Sequence, residues 1–472
     1  MEKLSDELLQ YTVDLCKEHG AKDVVIKTVQ KDEYQIRFSN SQIDILKRWF
    51  NTTMNILAAR GKRMKFISLQ TPTKERIKTD IPKAIANLSD EPKSMLYWGI
   101  EKKHHTYPSY PDLSDPEIEN FIDRAPQYVN TAIQSSMDYG SQKVAGVLYW
   151  GKNTTGVLTS RGNGGMYASS YYRMTIRSFF DDQSSGQNII TGRSLQNIDS
   201  AFTDAGEKSA EIAKNAVNGV QGKAGTYDLI LSPTVAGNIF GELVAGANPL
   251  MILIGMSSLR KKIGKHIGPE KLTVTDDPTH PEGIGSYPFD IEGVPAAPTP
   301  IIENGKLINL LHNTSTAKIW SLLGFIGKGK IRSKSTGNSD LGYVMMEGMG
   351  PQTLFPKASN YVYTPGDSSL EEMIEDSKTP TIYLTSNWYT RFTNHIESTF
   401  STIPRDGSFL IEHGEITQSI RNIRLSDNLL RMSAHISAMG KDAPQILWWE
   451  VRTPTFIPAI KVKNCHITTA TD

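Results

Sequence analysis

The 472-residue sequence contains little cysteine and no long apolar run, and each absence excludes a class of protein. Two cysteines, Cys16 and Cys465, are too few for a disulfide framework or a zinc site built from thiolates. No segment approaches the roughly 18 uninterrupted apolar residues of a membrane helix. The opening residues, MEKLSDELLQ, lack the basic and apolar regions of a signal peptide. We therefore expect a cytoplasmic protein.

An excess of charge of one sign is also missing. Lysine and arginine number 51 and aspartate and glutamate 50, which leaves a formal net charge of +1. Without a basic field to attract phosphates, we do not expect direct binding to nucleic acid. The hydrophobic content of 38% is close to that of ordinary globular proteins, and the length suggests more than one domain.

The residue pattern predicts an α+β fold in two domains. Apolar residues recur at helical spacing over residues 4–19, and polar and apolar residues alternate at strand spacing from residue 23 onwards. A polar run with two glycines at 220–225 marks a boundary. We predict an N-terminal mixed α/β domain over 1–222 and a β-rich C-terminal domain over 223–472. A helix is predicted at 234–245, and another interrupts the later strands at 428–439.

Catalytic motifs that are easy to recognise are missing. A helical metallohydrolase site needs two histidines one turn apart, and no two of the ten histidines have that spacing. The predicted helix 234–245 offers Asn238 and Glu242 on one face, which cannot form a zinc site by themselves. The serine signature G-x-S-x-G is missing as well. The basic run GKGKIRSKSTGN lacks the spacing of a phosphate-binding loop, and we interpret it as a flexible lip.

Two stretches place histidine close to glutamate at strand spacing. In TNHIEST the residues are His395 and Glu397, and in LIEHGEI they are Glu412, His413 and Glu415. Residues two apart in a strand share a face, so this pattern permits a ladder of histidine and glutamate side chains.

The segment from 272 to 300, LTVTDDPTHPEGIGSYPFDIEGVPAAPTP, is too rich in proline and glycine for a helix or a long strand. Long loops inside compact domains are usually functional or disordered, and the apolar residues of this one argue against disorder. Three interpretations remain open: a metal or acid/base site, a loop that closes over a bound peptide, and an ordered connection. The spacing is not that of a calcium loop. The candidate side chains are Asp276, Asp277, His280, Asp290 and Glu292.

Several motifs in this order resemble the TldD/PmbA family over nearly the whole chain. They are TYDLILSP before a helix of small residues, D-D-P and F-D-x-E-G in the 272–300 loop, S-T-G-N, I-E-x-G-E-I and the closing TPTFIPAIKV. Members were first named as modulators of DNA gyrase and are understood as intracellular metalloproteases. In TldD-type subunits, the resemblance implies an H-E-x-x-x-H helix after the TYDLILSP-like strand and a cysteine near the C-terminus as zinc ligands.

This sequence departs from the TldD pattern, because its corresponding helix has no histidine and Cys465 lies beyond the expected cysteine. It therefore resembles a TldE (PmbA)-type subunit. The resemblance implies no cofactor in this chain, zinc in a TldD-type partner, and a heterodimer or homodimer that encloses a chamber where unfolded peptides are cut. Residues that would line the channel or contact the partner are Asp276, Asp277, His280, Asp290, Glu292, Ser335, Thr336 and Asn338.

Two alternatives from other classes stay open. The chain could hydrolyse peptides by itself as a homodimer, with carboxylates such as Asp276, Asp277 and Glu292 around a metal. It could instead be a regulatory binding protein of the kind that the name "modulator of DNA gyrase" suggests.

Overall fold

A computed structural model describes residues 4–107, 112–322, 334–342 and 353–469. The first unit combines one antiparallel sheet with helices. Its elements are α1 (Asp6–Glu18), β1 (Asp23–Ser39), β2 (Gln42–Arg60), β3 (Arg63–Gln70), α2 (Lys74–Ile85), 3-10 turns at Pro116–Glu119 and Phe121–Asp123, α3 (Ala125–Asp138), β4 (Lys143–Thr159), β5 (Gly164–Phe179), β6 (Ser185–Gly192) and α4 (Asp199–Asn215).

The sheet has the strand order β3-β2-β1-β4-β5-β6, and the strand alternation gives its two faces different roles. On one face, residues such as Ile26, Ile56 and Trp150 are fully buried and pack in clusters with residues of the four helices. The opposite face carries Lys27, Val29 and Lys31 of β1, which are only partly buried or exposed. Since side chains of a strand alternate between faces, Lys27, Val29 and Lys31 lie on the face opposite the helices, which we call the polar face.

The second unit is richer in strands. Its elements are β7 (Val220–Gln221), β8 (Gly225–Leu231), α5 (Pro233–Ala245), α6 (Pro249–Leu253), β9 (Val274–Asp276), β10 (Thr299–Glu303), β11 (Lys306–Leu307), α7 (Thr314–Leu322), β12 (Ser339–Gly342), β13 (Thr353–Pro356), β14 (Tyr361–Tyr363), α8 (Leu370–Glu375), β15 (Thr381–Asn394), β16 (Thr399–Glu412), β17 (Glu415–Arg421), β18 (Ile423–Asn428), α9 (Leu429–Ala434), β19 (Ile436–Met439), β20 (Gln445–Trp448), β21 (Val451–Phe456) and β22 (Ile460–Thr469).

Two sheets enclose the main core of the second unit. One has the order β15-β8-β22-β18-β16-β17-β7, with β15 also paired to β16, and the other has the order β11-β10-β9-β14-β21-β20. Helix α5 is buried in this core through residues such as Val235 and Phe240. The side chain of Ser232 caps α5 by accepting a hydrogen bond from the Val235 amide, and Pro233 follows at the first helical position. The predicted α+β class and the predicted helix at α5 are confirmed.

One local prediction is wrong, and an arrangement that the sequence permits does not occur. The helix predicted at 428–439 ends at Ala434, because Ile436–Met439 forms β19 and pairs with β22. The histidine–glutamate ladders do not form, because both stretches contain turns. His413 has φ 55° and Gly414 has φ 83° between β16 and β17, and residues 395–398 form the turn between β15 and β16.

The two units contact each other through the 272–300 loop. Phe289 and Ile291 of the loop are buried in one cluster with Val25, Leu57 and Val157 of the first sheet. The predicted boundary at 222/223 stays a prediction, and β7, which lies just before it, pairs with β17 of the second unit. Of the predicted lip GKGKIRSKSTGN, residues 327–333 lie outside the described residues. No helix in the described ranges is long and apolar enough to cross a membrane.

Candidate functional site

Asp276, at the end of β9, connects three segments of the second unit. Its Oδ1 accepts hydrogen bonds from the backbone amide of Ser359 at 2.7 Å and from the Ser359 hydroxyl at 2.9 Å. Its Oδ2 accepts one from the side-chain amide of Asn338 at 2.6 Å. Burial raises the pKa of Asp276 to about 6, although these donors oppose the rise. Asp276 and Asn338, which lie far apart in the sequence, are thus direct partners.

Asp290 and Glu292 form a second buried pair in the loop. Asp290 Oδ1 accepts from the amides of Glu292 (2.9 Å) and Val294 (3.0 Å), and its Oδ2 accepts from the amide of Ser339 (2.8 Å). Glu292 Oε2 accepts from the amide of Thr314 at the start of α7, at 3.1 Å. Burial raises the pKa of Asp290 well above its usual range, with the nearby Glu292 adding to the rise, and raises the pKa of Glu292 to about 7.

The raised pKa of Glu292 predicts a specific pH dependence of stability. A carboxyl whose pKa is higher in the folded state contributes fully below its unfolded pKa, about 4.5, and this contribution is lost as the pH rises towards 7. Glutamine stays neutral throughout. The unfolding free energy of Glu292→Gln, relative to the unchanged chain, should therefore increase by about 2–3 kcal/mol between pH 5 and pH 8, measured by chemical denaturation.

Asp340→Asn is the matched control for this measurement, because the shift at Asp340 has the opposite sign. Burial opposes it, yet Lys27 and Lys357 lower the pKa of Asp340 to about 2. Stability from Asp340 is present above pH 3.8 and is lost on acidification. Asp340→Asn should be less stable than the unchanged chain at pH 7, and the difference should shrink towards pH 3. A Glu292→Gln difference that is flat with pH would contradict the assignment.

The other residues predicted for the site lie near these carboxylates in different roles. Asp277 accepts hydrogen bonds from the amide and hydroxyl of Thr279, and the ring of His280 packs against that of Phe456 in a tilted arrangement with 4.1 Å between centroids. Ser335 and Thr336 both donate their hydroxyls to the carbonyl of His312, at 3.2 and 3.0 Å. A partner or channel role for these residues stays a prediction. Asp276, Asp290 and Glu292 are buried within this chain.

Helix α5 carries Asn238 and Glu242. In TldD-type subunits, the resemblance implies that the corresponding helix carries the metal ligands. Asn238 is buried, and its Nδ2 donates to the carbonyl of Glu450 at 2.8 Å. Its Oδ1 accepts from Asn387 Nδ2 at 2.7 Å and also from the hydroxyl of Thr390. The carbonyl oxygen of the Asn238 amide is therefore already hydrogen-bonded by the protein.

The Glu242 side chain, one turn after Asn238 on α5, lines a cleft of about 310 Å³. The Glu242 side chain is accessible, yet the surrounding protein removes enough water to raise its pKa, while Arg452 and His395 oppose the rise. Other residues that line this first cleft are Ala245, Asn248, Met251, Lys357, His395 and Thr453.

A second cleft, of about 430 Å³, lies between the two units and adjoins the first. Lys357, Ala358 and Thr453 line both. On the side of the first unit, the second cleft is lined by Lys27, Lys31, Thr155 and Tyr167. Across it, Tyr287 and Arg452 belong to the second unit.

A third cleft, of about 310 Å³, continues along the first sheet. It shares Lys27, Val29, Lys31 and Asp340 with the second cleft and adds residues of β2, which are Asn51, Thr53 and Asn55. Asp340 lies 2.7 Å from Lys27 Nζ and 3.2 Å from Lys357 Nζ. The three clefts therefore form one series of adjoining hollows from the polar face of the first sheet to α5.

The lysines and amides of the first sheet were missed as site residues in the sequence, although a signal exists. Lys27, Val29 and Lys31 alternate with Ile26 and Thr28, which are buried. Alternation of this kind identifies a face that is not core. It could not show that the second unit would lie opposite that face, because the contact is made by residues more than 250 positions later, as the pair Lys27 and Asp340 illustrates.

Zinc, which the family resemblance implies for a TldD-type subunit, does not fit the residues that the structure describes in this chain. Among the residues that the structure describes, no group of three histidine, cysteine, aspartate or glutamate side chains could hold a metal ion. Zinc prefers histidine, cysteine and carboxylate ligands, and the α5 face offers a hydrogen-bonded amide and one carboxylate. We therefore derive no chemical step through a metal held by this chain.

Comparison with solved structures defines the class of protein through its fold. The structure of TldE from Thermococcus kodakarensis superposes with a TM-score of 0.81 at 18% identity, covering 98% of this chain and 100% of that one. A Thermotoga maritima protein described as a modulator of a DNA gyrase gives a TM-score of 0.82 at 19% identity, with 98% and 100% coverage. This chain thus has the fold of TldE-type proteins.

The sequence comparisons then identify the family. Residues 224–469 match the family model for the PmbA/TldA metallopeptidase C-terminal domain, and the chain belongs to this family. A metalloprotease of Methanothermobacter thermautotrophicus is 30% identical over 240 residues, which are 51% of this chain and 48% of that protein. The chain spans about half the length of the curated relatives it matches. The predicted resemblance to the TldD/PmbA family is confirmed.

Proposed function

We propose that this chain is a non-catalytic, TldE-like subunit of a peptide-cleaving complex in which a TldD-type partner supplies the zinc. In this role the chain contributes a wall of the substrate path. The main support for this proposal is the composition of α5, which lies at the end of the series of clefts. The helix presents Asn238 and Glu242 there, and the oxygen of Asn238 is occupied by Asn387 and Thr390.

The lining of the clefts suits an extended, unfolded peptide. Side chains such as Asn51, Thr53, Asn153 and Thr155 can form hydrogen bonds with a backbone without requiring a particular sequence. The lysines of β1 and Lys357 add positive charge, which can attract acidic side chains or a terminal carboxylate. A folded protein would not enter hollows of this size, so the substrate class that we propose is unfolded peptide.

Filling the first cleft tests whether it lies on the substrate path. Ala245 is exposed at the end of α5 and lines this cleft, so Ala245→Trp should obstruct it without disturbing the core. In the complex with a TldD-type partner, we expect peptide cleavage to fall at least about tenfold, equivalent to about 1.4 kcal/mol. Cleavage is measured with an unfolded peptide, and the zinc content of the complex should stay unchanged.

Met95→Trp is the control for this variant, because Met95 is 79% exposed and lines none of the three clefts described above. It should leave cleavage unchanged. If Ala245→Trp also leaves cleavage unchanged in an intact complex, the first cleft is not part of the substrate path.

A further inference from the structure

The second cleft has more cations on its walls than the carboxylates on those walls can neutralise. Lys27 and Lys31 line it from the first unit, and Lys357 and Arg452 line it from the second. Within the described ranges, neither Lys31 nor Arg452 forms a salt bridge with a carboxylate of the chain. Arg452 acts on the pKa of Glu242 only as a charge beyond salt-bridge distance. Lys31 and Arg452 are therefore available to an anionic ligand.

The carboxyl groups that line this cleft leave most of the positive charge uncompensated. Asp340 lies 2.7 Å from Lys27 Nζ and 3.2 Å from Lys357 Nζ, and these lysines lower its pKa to about 2, so it is ionised at neutral pH. Asp290 is buried, and burial raises its pKa well above the usual range, which favours the neutral form. The four cations of the cleft exceed its ionised carboxylates by three when Asp290 is neutral, and by two even when it is charged.

The strands on both sides of β1 place amide side chains next to one of these cations. In the register of the sheet, Lys31 lies between Asn51 of β2 and Asn153 of β4. An amide nitrogen can donate a hydrogen bond to a carboxylate that the neighbouring ammonium attracts. The carboxylate in the next row of the polar face, Glu33, already accepts a hydrogen bond from the hydroxyl of Tyr171. The row centred on Lys31 can thus offer one ammonium and two amides to an anion.

We propose that the second cleft prefers unfolded peptides with several acidic side chains, and that Lys31 and Arg452 determine this preference. The inference rests on the proposed function, since it names the substrate class of the same path. The cations stand on both walls of the cleft, so several carboxylates are needed to pair with them. A peptide has only one terminal carboxylate, whereas the acidic side chains of an extended segment recur along both of its faces.

Nucleic acid fits this charge distribution less well than an acidic peptide. Proteins that bind single strands provide a basic groove that follows the phosphates over several nucleotides. Here the excess of cations belongs to one cleft of about 430 Å³. The formal net charge of the chain is only +1, so no long-range field attracts a polyanion. A single-stranded oligonucleotide is therefore a suitable competitor in the test.

Binding of three matched peptides to the full chain alone tests the preference by fluorescence anisotropy. Each peptide has about 12 residues, which span about 40 Å when extended. The peptides share a background of glycine, serine and alanine, have both termini blocked, and carry glutamate, glutamine or lysine at the same positions. At low salt, the glutamate peptide should bind at least about tenfold more tightly than the glutamine peptide, because several exposed ion pairs add modest contributions. High salt should largely remove this difference.

Two double variants test the residues to which we assign the preference. Lys31→Gln combined with Arg452→Gln should reduce the ratio of the two dissociation constants to less than about threefold. Lys31→Glu combined with Arg452→Glu should reverse the preference, so that the lysine peptide binds more tightly than the glutamate peptide. Both side chains are exposed, so the circular dichroism spectrum of each variant should match that of the unchanged chain.

Lys78→Gln combined with Lys208→Gln is the matched control, because it removes the same net charge from exposed positions of α2 and α4. Neither residue lines any of the three clefts, so the preference for the glutamate peptide should persist.

Three results would overturn the inference. They are no tighter binding of the glutamate peptide than of the glutamine peptide, an equal loss of preference in the control, and displacement of the glutamate peptide by an oligonucleotide that binds more tightly. The binding measurement needs neither a partner nor cleavage. Its failure would therefore leave the cleavage test of the proposed function unaffected, and failure of the cleavage test would leave the binding result unaffected.

Discussion

Replacing Gly293 with alanine is expected to lower the unfolding free energy by about 2–5 kcal/mol. Gly293 has φ 73°, where an L-residue costs about 1–2 kcal/mol. An added Cβ would also overlap the Cβ of Asn163 and lie 2.8 Å from the hydroxyl oxygen of Tyr107. Overpacking of this kind typically adds about 1–3 kcal/mol. The change would be measured as unfolding free energy by chemical denaturation.

Gly162→Ala separates the two causes. Gly162 has nearly the same backbone angle, φ 76°, but an added Cβ would meet nothing within 4 Å. We therefore expect this control to lose only the conformational part, about 1–2 kcal/mol. Equal losses for the two variants would mean that the loop is not seated against the first unit as described.

Gly293 lies at the contact between the two units. The hydroxyl of Tyr107, in the first unit, donates to the carbonyl of Gly293 at 2.8 Å and accepts from the amide of Gly164 at 2.9 Å. The ring of Tyr107 also lies 4.5 Å from that of Phe289, centroid to centroid. The 272–300 loop therefore holds the second unit against the polar face of the first sheet. It also forms part of the boundary of the second cleft, which lies between the two units.

Elements with local signals could be predicted from the sequence. Helix α1 begins where Ser5 caps it and Asp6 and Glu7 occupy its first turn, and α5 begins at a serine followed by proline. The predicted helix at 428–439 failed for a non-local reason, because residues 436–439 gain hydrogen bonds from β22 that no local pattern announces.

The roles of the loop carboxylates could not be predicted for the same reason. The five acidic and histidine residues near one another in the sequence suggested a metal site, a peptide loop or an ordered connection. In the structure, the partners of Asp276 come from Asn338 and Ser359, and those of Asp290 include Ser339. These carboxylates hold the loop in place through hydrogen-bond donors that lie 49 to 83 positions away in the sequence. The pattern of the loop alone could not indicate these partners.

In contrast, the absence of histidine from α5 follows directly from the sequence. The structure adds that Asn238 has a role of its own in a buried polar network with Asn387, Thr390 and Thr402. The position is thus filled by a residue that stabilises the packing of α5 against β15. Introducing a histidine there would have to displace these hydrogen bonds before it could bind a metal.

The second large effect is expected in peptide cleavage. Because the proposed function places the zinc in a TldD-type partner, this chain alone and the complex should differ strongly in cleavage rate. Purified alone, this chain should cleave an unfolded peptide no faster than a blank. With a TldD-type subunit that carries the H-E-x-x-x-H helix, cleavage should be readily measurable. It should be lost when the histidines of that partner are replaced, because those histidines would hold the zinc, which would supply Lewis-acid chemistry for peptide hydrolysis.

The most direct measurement is therefore the cleavage rate of one unfolded peptide by this chain, by the partner and by the two together, with zinc determined in each sample. The proposal predicts cleavage that requires the partner's histidines, a clear increase when this chain is added, and no stoichiometric zinc in this chain alone. Peptide cleavage by this chain alone, accompanied by stoichiometric zinc, would contradict it.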